Sequence, residues 1–422
     1  MKRTGHQHVE PETAIAPISP PTLRRSIRLI PFVFYGVGVT VGAGIYVLVG
    51  LTAGMAGMAA PISFLLAALI AAPTAFSFAE LSARMPRTAG EAIYVLEAFR
   101  NPRLSQLVGL AVVMTGVVSS ATVTNGAAGY IEQILNIPGW LTKLIFVGTL
   151  GLIASWGVVQ SVLLTVLLAI IEVGGLFVIV GVGLFDLGGL PSLAPIVSPA
   201  NISLSAVGIL SGMFVAFFAF IGFEDMVNMA EEVREPERTI PRAIALTLAI
   251  TTLLYLLVAT VAVSVVPPAE LAASDAPLAL VFAHATGHSA AIFAGVAVLA
   301  TVNTVLVQIV MSARVLYGMV AVGTMPKILG RIHPRTQTPV IATLIAVSII
   351  LALALFFPLE SLARTTTFSA LSIFTLVNMS LIRIKLRDAD ETPHFKVSLW
   401  VPVMGAALSI ATLLFQLYQL AA

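Results

Sequence analysis

The chain has 422 residues, of which 58% are hydrophobic and only 10% charged, against roughly 25% charged in an ordinary soluble domain; with a mean hydropathy of +1.02 it reads as an all-α polytopic membrane protein. A formal net charge of +2 gives no support to a nucleic-acid partner. The sequence holds no cysteine, which excludes disulfides, thiolate metal sites and a cysteine nucleophile.

Taken in chain order, residues 1–28 are polar and proline-rich without an apolar stretch of signal-peptide length, so they read as a retained, disordered cytoplasmic tail. A window of about 20 residues then finds about eleven apolar spans. They lie near 29 to 52, 58 to 80, 104 to 130, 140 to 156, 161 to 185, 205 to 229, 242 to 266, 289 to 318, 339 to 357, 364 to 383 and 397 to 420. With a cytoplasmic N-terminus, the inner segments collect all of the 22 lysines and arginines except Lys143, Arg364 and Arg314, and Arg314 is near enough to an inner end to snorkel. The charge bias and the span count support each other and leave the C-terminus outside.

The first span contains VGAG at residues 41 to 44, with Gly36 and Gly38 just before it. Each glycine inside a helix costs about 1 kcal/mol relative to alanine, and an interrupted helix survives in a bilayer only where it lines a cavity or is wrapped by protein. The sixth span has a matching interruption at Gly222, followed by Glu224 and Asp225. Two interrupted spans at corresponding places in two five-span halves point to a transporter substrate site; close helix packing on small residues is the alternative.

The runs GAGIY from Gly42, FAELSARMPRTAGEAIYV from Phe78, FFAFIGFEDMVNMAEEVREPERTIPRAI from Phe217 and SARVLYGMVAVGTMPKIL from Ser312 resemble the amino acid–polyamine–organocation superfamily. They stand in that family's order and spacing. The resemblance implies the LeuT-type fold, with broken first and sixth helices and a five-plus-five inverted repeat. It divides the chain into the tail, a transporter core of 29–385 (repeats at about 29–185 and 205–385), and a loop with an additional C-terminal helix at 386–422. Many members have twelve spans, and the last is the one this reading lacks.

Residue by residue, the resemblance implies that backbone N–H groups of Val41, Gly42, Ala43, Gly44 and Ile45 meet a substrate carboxylate, which agrees with the affinity of helix N-termini for anions. Carbonyls from Phe218, Ala219, Phe220, Ile221 and Gly222 would meet the amino group, and the Phe218 ring, with Phe220 close behind, would cap the substrate. Gly116, Ser119 and Ser120 on the third span and Gln308 on the eighth would complete the wall, or serve only to join helices.

Ionisable groups at membrane depth are functional by default. Glu172 lies halfway along the fifth span, where many relatives carry a lysine. It is expected to carry a proton in at least one state of the cycle, with Asn303 as a hydrogen-bond partner. Glu224 is a second candidate for proton coupling or gating. EEVREPER reads as a solvated helix end whose acids could pair with Arg84 or Arg87; Glu80 and Arg84, four apart, read as a local helix pair. His284 and His288 lack acidic neighbours in sequence, so no metal is expected, and no cofactor.

The spans offer no nucleophile, base and metal constellation for a membrane enzyme, no filter repeat for a channel and no phosphate loop for a nucleotide. The expected activity is secondary active amino acid transport at the cell membrane, proton-coupled and by alternating access. An amino acid exchanger and a polyamine or other amine transporter are the alternatives. An extra carboxylate in the pocket would favour the amine, because a diamine needs anions for both ends.

Overall fold

The computed structural model describes residues 27–86, 90–156, 162–198, 206–321, 325–336, 338–388 and 394–421. The expected tail, apart from Ile27 and Arg28, lies outside them, as does Arg87. Among the described residues every regular element is helical, and nine helical runs are long and apolar enough to cross a membrane.

The first expected span is two helices, α1 (Leu29–Val41) and α2 (Gly44–Ala56). Between them Gly42 adopts φ +28, a conformation that disfavours a Cβ. No loop separates α2 from α3 (Ala60–Arg84): one 3-10 turn at Gly57–Ala59 joins them into a continuous helical run. Hydropathy separates the apolar runs at 29 to 52 and 58 to 80 and misses that their link is helical.

After the short α4 (Gly90–Phe99) come α5 (Pro102–Glu132), α6 (Gly139–Trp156) and α7 (Val162–Asp186). Asn101 starts α5 with a side-chain cap, accepting from the N–H groups of Arg103 and Leu104. The sixth expected span is α8 (Ala206–Ala216), which gives way to 3-10 turns at Phe217–Phe220 and Phe223–Met229 on either side of Gly222, φ +130. Both interrupted helices are therefore real.

The remaining elements are α9 (Pro236–Val265), the short α10 (Pro268–Ala273) and α11 (Pro277–Thr286), then α12 (Ala290–Ala321), α13 (Val340–Phe356), α14 (Leu359–Arg387) and α15 (Trp400–Ala421). EEVREPER is the solvated N-terminal end of α9, and it also carries a backbone pairing. Val233 forms a parallel bridge with Ile27, through Ile27 N–H to Glu232 O at 3.1 Å and Arg234 N–H to Ile27 O at 2.9 Å. Glu235 then takes a left-handed conformation before Pro236 starts α9.

The two ends of the bundle differ. At the basic end, Arg383 lies over the Phe99 ring at 5.3 Å and Arg387 pairs with Glu97 at 2.7 Å, tying α4 to α14. At the opposite end α10 and α11 sit on α2 through glycines: a Cβ on Gly50 would stand 2.5 Å from Leu271 O, and one on Gly54 2.7 Å from Ala272 Cβ. Only the lack of side chains lets these segments approach so closely.

Candidate functional site

The two interruptions pack against each other. A Cβ on Gly44 would lie 2.6 Å from Ala219 Cα, and one on Gly222 2.6 Å from Val39 O, so both glycines are required by backbone-to-backbone contact. The first-turn N–H groups of α2 have no side-chain cap, which leaves a helix N-terminus fit to meet an anion. Ala43 N–H, just before that turn, donates to Thr304 Oγ1 at 3.0 Å.

Carbonyls from both breaks converge on one phenol. Tyr255 on α9 is within hydrogen-bond distance of Ala219 O at 2.7 Å, Thr40 O at 3.0 Å and Val41 O at 3.3 Å. Phe220 stacks edge-on against the same ring at 5.1 Å, so it belongs to the core around Tyr255.

Beside the sixth break, toward the basic end, lies a small, partly open cleft between α4, α5, α12, α14 and the turn after Gly222. It brings together Gly116, Ser119, Ile221, Glu224 and Gln308 of the expected residues, and adds Glu91, Asp225 and Ser312. Gly116 makes room for it, since a Cβ there would stand 2.7 Å from Gln308 Oε1. Glu224 accepts the Gly222 N–H at 2.8 Å, and Asp225 accepts from Gln308 Nε2 at 3.0 Å.

Val41, Gly42, Ala43, Gly44, Ile45, Phe218 and Ala219 do not line this cleft; they are buried between the packed breaks. Ser120 is buried too, its hydroxyl bonded back to Gly116 O at 2.8 Å. The expected site thus divides into a closed centre at the breaks and an accessible cleft beside it.

Glu172 is fully buried on α7. Its carbonyl accepts from Tyr46 Oη at 2.6 Å, while neither carboxyl oxygen has a hydrogen-bond partner. Asn303 stands beside the carboxyl, but its amide nitrogen is also unpartnered, so no well-formed bond joins the expected pair. Glu80 is more than a local helix partner: it is buried and pairs with Arg84 at 2.9 Å and Lys385 at 2.7 Å, and it accepts from Val397 N–H. His284 has one acidic neighbour, Glu270 at 3.9 Å, at an exposed site.

Sequence reasoning missed Tyr255, Thr304, Glu91 and Ser312. Tyr255 is a lone polar ring in LLYLL and Thr304 follows the flagged Asn303, which are weak signals; Glu91, an acid in the first turn of the short helix GEAIYVLEAF, is a stronger one.

A family model described as amino acid permease matches residues 29–421. The chain is 29% identical over 416 residues to the branched-chain amino acid permease BcaP of Bacillus subtilis, covering 94% of this chain and 89% of that protein. It is 31% identical over 401 residues to cationic amino acid transporter 4 of Mus musculus, covering 87% of this chain but spanning only 61% of the mouse protein. It is 26% identical over 428 residues to the methylthioribose transporter of Bacillus subtilis, with 94% and 90% covered.

Proposed function

This chain belongs to the amino acid permease family, and from that premise we propose that it is a secondary active transporter of amino acids in the cell membrane, coupled to protons and working by alternating access. As a family member it is a transporter and not an enzyme. The carrying observation is the pair of interrupted helices in backbone contact at Gly44 and Gly222, beside an uncapped helix N-terminus. A half-helix N-terminus suits a carboxylate and unwound carbonyls suit an ammonium, so the two breaks together suit an amino acid.

In this reading Val41 to Ile45 hold the carboxylate, and the carbonyls of the 218 to 222 segment hold the amino group. Residues 29–385 form the core of two inverted five-helix repeats, 386–422 add a loop and a helix, and the N-terminus is cytoplasmic. Closure at α10 and α11 with a cleft toward the basic end is one access state; separation of α10 and α11 from α2 would be the other.

Glu172 is the proton carrier. A fully buried carboxyl without a hydrogen-bond partner is costly to ionise. It therefore holds a proton here and releases one when access changes. The test is uptake into proteoliposomes under an imposed pH gradient. Wild-type protein should concentrate substrate, whereas Glu172→Gln should bind it and fail to concentrate it. Wild-type pH dependence in the mutant would remove Glu172 from the coupling path.

A further inference from the structure

The cleft beside Gly222 holds more carboxyl groups than the groups common to all amino acids require. Glu91, Glu224 and Asp225 face it, and among the described residues no lysine, arginine or histidine lines it. Arg314, two residues beyond Ser312 on α12, is exposed and outside the wall. Glu224 is engaged with the Gly222 N–H, and one oxygen of Asp225 takes the Gln308 amide. Glu91, only 3% exposed, draws on its own backbone N–H.

A second observation comes from the hydroxyls. Thr115 and Ser120 bond back to their own helix. Ser119 and Ser312 are 5% and 3% exposed, line the cleft, and have no hydrogen-bond partner among the described residues. Two buried hydroxyls from facing helices are therefore free to meet something inside it.

We propose that this cleft receives the terminal ammonium of an aliphatic cation, so that the substrate is a lysine-like amino acid or a diamine. The proposal rests on the transporter reading above and deepens it. An ammonium has three donors and no acceptor; carboxylates and serine oxygens supply acceptors for all three. Val112, Met311 and Val315 in the same wall suit the methylene stem. A neutral apolar side chain would leave the carboxylates unpaired and desolvated, which discriminates against it.

The test measures ligand-induced thermal stabilisation and competition on the purified full chain with lysine, norleucine and cadaverine. Norleucine is lysine without its terminal amine, and cadaverine is lysine without its carboxylate. Lysine or cadaverine should bind at least about tenfold more tightly than norleucine, the scale of one charged hydrogen bond. The tighter of the two cations identifies the source as amino acid or diamine. Glu91→Gln and Asp225→Asn should each lower the preferred cation's affinity about tenfold.

Norleucine binding as tightly as both cations would overturn the proposal while leaving an amino acid transporter. No binding by any of the three, with no uptake of any amino acid, would overturn both. If a variant loses its melting transition, the wild-type comparison alone decides.

Discussion

At Tyr255 one phenolic hydrogen faces three carbonyl oxygens from two different helix breaks. Tyr255→Phe keeps the ring against Phe220 and Phe64 and removes the hydroxyl, leaving buried carbonyls short of a donor at about 1–3 kcal/mol. A melting temperature lowered by a few degrees is expected, together with slower uptake, because the two breaks lose their common tie. Unchanged melting and uptake would make that contact incidental. Glu91 gives a prediction in pH. Burial pushes its carboxyl up to about 7, with nearby Asp225 adding to the effect, so it is neutral below that value and ionised above it. Affinity for a terminal ammonium should therefore rise as pH goes from about 6 to about 8. Glu91→Gln should flatten the profile when binding is measured across that range.

At the scale of elements, the contact between α2 and the sixth break depends on glycine at position 44. Gly44→Ala brings a Cβ to 2.6 Å from Ala219 Cα, and backbone cannot yield as a flexible side chain can. A loss of about 1–3 kcal/mol is expected, with substrate-induced stabilisation reduced or abolished; circular dichroism melts with and without substrate would read both. Both breaks were legible in sequence because Gly42, Gly44 and Gly222 interrupt otherwise strong apolar spans, where glycine is costly unless something needs it. The resemblance assigns the Phe218 ring to the substrate with Phe220 close behind, and sequence cannot show which way a ring turns; Phe220 turns to Tyr255. Charge marks EEVREPER as a solvated helix end, which it is for α9; the pairing that holds Val233 leaves no signal there because its partner, Ile27, lies ahead of α1. Thr304 and Tyr255 act through backbone atoms of distant segments, and backbone acceptors leave no trace in side-chain pattern.

For the molecule as a whole, Glu80 joins elements that are far apart in the chain. It binds Arg84 on its own helix, Lys385 on α14 and the N–H of Val397 ahead of α15, while Lys385 also donates to Val397 O at 2.6 Å. Glu80→Ala would leave Lys385, buried in this cluster, without its carboxylate, and removing one member of a buried pair costs about 3–5 kcal/mol. Chemical denaturation in detergent should show that loss, whereas substitution of exposed Arg238, whose contact to Glu235 is 4.0 Å, should show almost none. The bridge between Ile27 and Val233 has a practical consequence for engineering. Ile27, just ahead of α1, is clipped by two backbone hydrogen bonds to the segment leaving the sixth break, so a load attached there would pull on the hinge itself. A dye placed there would report that hinge as faithfully as one on Val233, and fusion partners are better carried after α15, which has no backbone bridge to either break.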